Sequence, residues 1–275
     1  MNKLKEKIVV ITGAGGVICS TLAKAIASKG AKVMLLDLNY DSAKLVSDEI
    51  NKKGYISKAY KANVLDKESL LKVKEEINKE FGKVDILING AGGNNPKATT
   101  NNEYHLDSEL LDKSFFDLDP KGVEFVFNLN FLGTFIPTQV FALDMVGKSD
   151  SSILNISSMN AYHPLTKIPA YSGAKAAVSN FTEWLSVHFS KVGIRVNAIA
   201  PGFFVTNQNK NLLFDSDGNP TPRTKKILSQ TPMGRFGEVS ELVDATLFLI
   251  DPVKASFITG VVLPIDGGFN AYSGV

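Results

Sequence analysis

Ser158, Tyr171 and Lys175 are the residues whose types and spacing can do chemistry. The serine precedes the tyrosine by thirteen positions, and the lysine follows it by four. Four positions is about one helical turn, so on a helix Tyr171 and Lys175 share a face. A phenol holds its proton to about pH 10, which makes it a weak acid near neutrality. An ammonium beside it favours the phenolate and lowers that value. A serine hydroxyl arriving from a strand end can bond the same substrate oxygen. Together the three form a device that gives a proton to, or takes one from, an oxygen on a small molecule. A tyrosine and a lysine at this spacing also occur on many helices as an ordinary surface pair, so the surroundings decide.

Those surroundings alternate between buried strands and helices. KIVVIT (7–12) is short, β-branched and continuous, as a strand buried on both faces must be. Gly13-Ala14-Gly15-Gly16 follows, then a helical pattern over 17–29 and a second buried strand, KVMLLD, over 32–37. A glycine-rich turn there lets backbone N–H groups and a helix N-terminus approach a pyrophosphate. Asp37, ending the second strand, can bind an adenosine ribose 2′-hydroxyl and repels a 2′-phosphate. That favours NAD, and NADP stays open because Asn39 and Tyr40 leave the outer pocket polar. A G-x-G-x-x-G starting at Gly13 needs glycine where the chain has Ile18, so the turn alone is a weak signal.

The pattern predicts further helices over 41–53, 66–80 (with Asp66 as N-cap), 121–146 (carrying Asn130), 170–191 and 238–250. It predicts further strands over 55–60, 84–89, 151–158, 193–202 and 257–265. Two polar excursions, about 93–120 and 203–237, interrupt the alternation. Such alternation implies an α/β fold, a parallel sheet with helices on both faces. No linker divides residues 1–275, which read as a single dinucleotide-binding and catalytic domain with the excursions on the substrate side. Ligands of such sheets sit beyond the carboxyl ends of the strands. The Gly13 turn, Asn89–Gly92, Ser158 and Pro201-Gly202 all fall there.

Composition narrows the partners. With 30 basic and 28 acidic residues the net charge is +2, which points neither to nucleic acid nor to a membrane surface. No apolar run approaches the ~18 residues of a membrane span. The lone cysteine, Cys19, permits no intramolecular disulfide, fits a cytoplasmic location and reads as a small packing residue. His105, His163 and His188 lack ligand spacing, so no metal is expected. The absence of a G-x-S-x-G elbow at Ser158 argues against serine hydrolysis. Were the substrate a polyhydroxy acid, Asn94, Asn95, Asn160, His163, Lys167, Asn207 and Gln208 would offer it hydroxyl partners, and its carboxylate would need one cation. Lys167, Arg223 and Arg235 are the candidates for it, each equally readable as a surface charge.

TGAGG (12–16), NGAG (89–92), NLN (128–130), NISS (155–158), YSGAK (171–175), RVNAIAPG (195–202) and IDGG (265–268), in that order, resemble the short-chain dehydrogenase/reductase family over nearly the whole chain. The resemblance implies a doubly wound Rossmann fold on a seven-stranded parallel sheet. The implied reaction moves a hydride between a nicotinamide and an alcohol or ketone carbon. It implies Tyr171 as general acid/base, Lys175 on the nicotinamide ribose and depressing the tyrosine pKa, Ser158 on the reacting oxygen, and Asn130 holding a relay water. Gly13, Gly15, Gly16, Val17, Ile18, Asp37, Asn63, Val64, Asn89, Ala91, Gly92, Pro201, Gly202 and Phe204 join Tyr171 and Lys175 as cofactor contacts. Asn94, Asn160, His163 and Phe203 are the substrate contacts.

The family's TGxxxGxG has glycine where this chain has Val17 and Cys19, and relatives commonly carry aspartate at Asn63. Within the family the chain resembles a subgroup called D-mannonate oxidoreductase or fructuronate reductase, which interconverts D-fructuronate and D-mannonate. The alternatives are reduction of another keto sugar or keto acid, such as a ketogluconate, and nucleotide sensing without turnover. The family usually assembles as dimers or tetramers through the Asn130 and Tyr171 helices, and the tail FNAYSGV is expected at a subunit contact or a neighbouring site.

Overall fold

Runs of aliphatic residues that can be covered from both sides become the strands. The computed structural model describes residues 3–105, 113–206 and 213–274. Its strands are β1 (Ile8–Thr12), β2 (Lys32–Asp37), β3 (Ile56–Lys61), β4 (Ile86–Asn89), β5 (Ser151–Ile156), β6 (Ile194–Pro201) and β7 (Val262–Ile265). They form one seven-stranded sheet in the order β3-β2-β1-β4-β5-β6-β7, every neighbouring pair parallel. The helices are α1 (Val17–Ser28), α2 (Tyr40–Lys52), α3 (Lys67–Glu80), α4 (Pro120–Phe127), α5 (Gly133–Phe141), α6 (Pro169–His188), α7 (Pro222–Ser229) and α8 (Val243–Ile250).

Alternate residues of each strand feed two separate cores. Val9 and Ile11 of β1 pack with Leu22 and Ile26 of α1 and with Leu249 and Ile250 of α8. Ile8 and Val10 face the other way, toward Leu70 and Ile77 of α3 and Phe141 of α5. Burying each such side chain contributes about 1.5–3 kcal/mol, so both faces of the sheet are held, as the sequence pattern implies. From β1 the chain runs outward to β3 and then returns to place β4 on β1's other side. That reversal opens a crevice between the carboxyl ends of β1 and β4, the place where such sheets bind ligands.

Three differences from the sequence expectations have physical causes. The helix expected over 121–146 is broken by a π-helical segment, Asn128–Leu132. There the Asn130 side-chain amide donates to the Val126 carbonyl at 2.8 Å, taking over the acceptor one turn back. Proline inside α5, Pro137, removes another backbone donor. The excursion 203–237 contains an unforeseen helix, α7, capped by Thr221 with Pro222 in its first turn. The last strand starts at Val262, not 257, after Gly260 takes a left-handed φ of +83°. The stretch Pro120–Asp144, contrary to the expectation, is long and apolar enough to cross a membrane by length and composition. Half of it is buried inside the protein, and its α5 portion packs on α3 and β4, which marks a core helix.

Candidate active site

The crevice is drawn together by backbone. Thr12 Oγ1, at the end of β1, accepts from Gly90 N at 3.1 Å and Ala91 N at 3.3 Å, tying β1 to the loop after β4. Gly13 has φ +64°, and a Cβ there would lie 2.8 Å from Ala91 Cα, so only glycine closes this turn. Gly15 N donates to Asp37 Oδ2 at 2.9 Å and Asn39 N to Asp37 Oδ1 at 2.8 Å, which sets the carboxylate of β2 beside the glycine turn. Gly16 precedes α1, and Val17 and Ile18 open it with no side-chain cap. An uncapped helix start of this kind presents N–H groups to an anion. Asn63 and Val64 follow β3; Asn63 Oδ1 accepts from Leu65 N at 3.0 Å, and Val64 packs where a Cβ on Gly133 would be. Glycine turn, helix start and carboxylate together fit a dinucleotide.

Beyond the turn lies a cavity of about 330 Å³ lined by Ile18, Gly92, Ser158, Tyr171, Lys175 and Gly202, among others. Tyr171 and Lys175 stand on the first turns of α6, and Ser158 on an extended continuation of β5 (φ −161°, ψ 155°). Ser158 Oγ accepts from Asn160 N at 3.2 Å. Lys175 Nζ donates to the Ile156 carbonyl at 2.8 Å and lies 5.7 Å from the centre of the Tyr171 ring. Asn130 holds the neighbouring loop in both directions, donating to Gly93 O at 2.7 Å and accepting from Gly93 N at 3.2 Å. A Cβ on Gly92 would lie 2.6 Å from Asn130 Oδ1 and 3.2 Å from Lys175 Nζ, so this wall must be bare backbone. Pro201, Phe203 and Phe204 line the same cavity. A second cavity, about 560 Å³, opens outside it and shares Phe203, Arg223 and Ile227 with it.

A family profile described as short chain dehydrogenase matches residues 7–216. The chain belongs to the short-chain dehydrogenase family. It is therefore an oxidoreductase of alcohol and keto groups, on the fold that the motifs imply. A solved structure from Haemophilus influenzae, provisionally named a D-mannonate oxidoreductase and crystallised with bound NAD, is 63% identical. Its TM-score to this chain is 0.96, with 99% of this chain and 98% of that one covered. An uncharacterized oxidoreductase of Bacillus subtilis, UxuB, is 48% identical over 100% of this chain and 98% of its own. A 7alpha-hydroxysteroid dehydrogenase of Escherichia coli is 32% identical, covering 97% and 95%.

In this short-chain dehydrogenase the direction of the Tyr171 shift is set by burial. Burial pushes the Tyr171 phenol above its ordinary value, and the Ser158 hydroxyl pulls the other way without prevailing. Burial also pushes Lys175 down to about 8, which leaves it a cation below that value. The phenol near neutrality is a protonated donor, suited to a carbonyl oxygen that gains charge. Cys19 is raised to about 12 by burial and is a thiol wedged under the loop: a Cβ on Gly90 would come within 2.1 Å of its Sγ.

Other expected contacts lie elsewhere. The Asn89 side chain turns into the core, donating to Thr138 Oγ1 at 3.0 Å and Asn155 Oδ1 at 2.9 Å. Asn94 is exposed and donates to Thr99 Oγ1 at 2.9 Å. Asn160 is buried, and neither asparagine lines the two cavities. His163 lines the outer cavity with its ring 2.9 Å from the Asn270 carbonyl, and Phe269 of the same tail meets Phe203 edge-on. The tail thus walls its own chain's outer cavity. Asn207 and Gln208 lie outside the described residues. Leu165 and Ile227 line cavities, though no motif in the sequence points to them. The Thr221-Pro222 pair, a cap followed by a first-turn proline, was the signal that could have found the α7 wall.

Proposed function

We propose that this oxidoreductase uses NAD to interconvert a hydroxyl and a keto group on a sugar acid, D-mannonate and D-fructuronate. The observation that carries the reading is the convergence of Ser158, Tyr171 and Lys175 on one cavity directly beyond the glycine turn. NAD is supported by the bound cofactor of the 63% identical protein and by Asp37, whose carboxylate beside Gly15 disfavours a 2′-phosphate. The name D-mannonate rests on that same relative, and D-fructuronate on the resemblance that the motifs carry.

In this reading Tyr171 would pass its proton to the carbonyl oxygen, and a dinucleotide held beside it would supply the hydride. Ser158 bonds the same oxygen, and Lys175 holds the nicotinamide ribose. Asn130 fixes the Gly92–Gly93 wall, and the acceptor capacity left on its amide oxygen can hold a relay water. Residues 1–275 act as one catalytic unit, with the excursions on the substrate side. The exposed apolar side chains Phe125, Leu132, Trp184 and Val187, on and beside α4 and α6, are covered by a second copy. Light scattering showing a monomer would remove that last element.

One observation favours a second substrate class. Leu165, Ile168, Phe203, Ile227 and Phe269 give the outer cavity apolar walls, which suit an alcohol with an apolar body such as a hydroxysteroid. The test is NAD reduction with D-mannonate and with a hydroxysteroid, and NADH oxidation with D-fructuronate. Mannonate turnover that falls about 10²–10⁴-fold in Tyr171→Phe, with NADH binding unchanged, supports the proposal. Turnover of the steroid alone replaces it.

A further inference from the structure

We infer that Arg223 is the anion anchor of the substrate pocket, holding a substrate carboxylate at the junction of the two cavities with Lys167 as a second cation further out. The inference rests on the reading of the substrate as an acid. Among the described residues, Arg223 is the only charged side chain lining both the Tyr171 cavity and the outer one. A substrate with its reacting carbon at Tyr171 and its chain running outward must pass it.

The chain's other two arginines are committed elsewhere. Arg195 donates to the Leu249 carbonyl at 2.7 Å and the Asp251 carbonyl at 3.3 Å, as a structural residue. Arg235 makes a two-pronged bond to Glu241, at 2.8 and 2.7 Å, away from both of these cavities. Lys226, in the outer cavity, is paired with Glu103. Arg223 has no side-chain hydrogen bond or ion pair among the described residues. Among the described residues, the outer wall therefore carries Lys167, Arg223 and Lys226 against Glu103, an excess of positive charge beside an open space. A guanidinium left without a partner next to a pocket is matched in shape and charge by a carboxylate, which accepts two parallel N–H bonds from it.

The helix holding Arg223 is fixed from beneath. Thr224, fully buried, donates through Oγ1 to the Leu213 carbonyl at 2.5 Å, and Ile227 is buried against the cavity floor. Arg223 projects from this seated turn.

The experiment compares D-mannonate with D-mannitol, which differs by having a hydroxymethyl group in place of the carboxylate. Arg223→Gln is expected to lower kcat/KM for mannonate about 10- to 100-fold, mainly through KM, and to leave mannitol unchanged. Arg223→Lys recovers part of the loss, because it keeps charge without the fork. Lys167→Gln gives a smaller loss of the same kind. An NADH titration that matches wild type confirms that the variants are folded. Mannonate turnover unchanged in Arg223→Gln overturns the anchor while the sugar-acid reading stands. A wild type that oxidises mannitol or a hydroxysteroid but not mannonate overturns the sugar-acid reading, and the anchor with it.

Discussion

On the β1–β4 side of the crevice the structure is made by main chain: Thr12 holding Gly90 and Ala91, Gly15 resting on Asp37, Gly92 lying bare against Asn130. On the excursion side it is made by side chains: Arg223 on a short helix, Lys167 on the loop before α6, Phe203 against Phe269 of the tail. The first region tolerates almost no added atom. The second has room and, among the described residues, a surplus of positive charge. A dinucleotide is the same in every enzyme that uses it, so its cradle can be rigid backbone. A substrate differs between enzymes, and side chains on separable loops can change without disturbing the sheet. Lys175 lines the inner cavity, where residues of both regions meet, and should show the largest response when the contrast is tested.

Lys175 is buried and pushed from 10.5 down to about 8 by that burial. Between those values the folded chain binds fewer protons than the unfolded chain, so wild-type stability rises with pH across that window. Below about pH 8 the cost of burying the charge is fully present. Lys175→Met should therefore be more stable than wild type at pH 7, by about 2–3 kcal/mol, with the gap closing by pH 10. It should also lose nearly all turnover. Urea denaturation at the two pH values checks the first statement. A variant less stable than wild type at pH 7 would mean that the bond to the Ile156 carbonyl outweighs desolvation.

Gly90→Ala tests the rigidity of the backbone side. The new Cβ would sit 2.1 Å from Cys19 Sγ and 2.9 Å from the Thr12 carbonyl. Overpacking of this kind costs about 1–3 kcal/mol. Cys19→Ala in the same chain should recover part of the melting temperature, and only part, because the Thr12 carbonyl stays in place. Independent, additive effects in the double variant would show that the loop moves aside instead, and would weaken the contrast between the two regions.

That contrast also governs what the sequence makes legible. KVMLLD reads as a strand because its residues are buried from both sides wherever the chain goes, and Asp66 reads as a cap because capping is local. The glycine turns and the Tyr171–Lys175 spacing are local as well. The π-helical turn at Asn130 is not, since it depends on a side chain finding both Val126 and Gly93. Nor is the direction of Asn89, which a buried network through Asn155 to Thr182 turns inward. The sign of the Tyr171 shift lies in burial, a property of the whole packed site; spacing supplies only the nearby lysine. Among three candidate cations, the chain order ranked none, and the fold separates them by giving Arg235 a partner and Arg223 a place between two cavities.

Arg235 supplies the smallest expected effect and a control for the anchor. Its guanidinium is exposed and held by Glu241, whose carboxyl is pushed down to about 2, chiefly by that arginine, and also binds Glu238 N at 2.7 Å. The pair is thus ionised at any working pH, and neither partner is available to a substrate. An exposed pair of this kind contributes little. Arg235→Gln should change KM for mannonate by less than about twofold, where Arg223→Gln raises it at least severalfold. If the two variants raise KM equally, the substrate senses the summed charge of the excursion side and not one positioned guanidinium. A dependence of KM on ionic strength that is the same for both variants would point the same way. A KM that responds to position 223 alone, at any salt concentration, would instead mark a built contact, with one place on the side-chain wall as exacting as the backbone wall it faces.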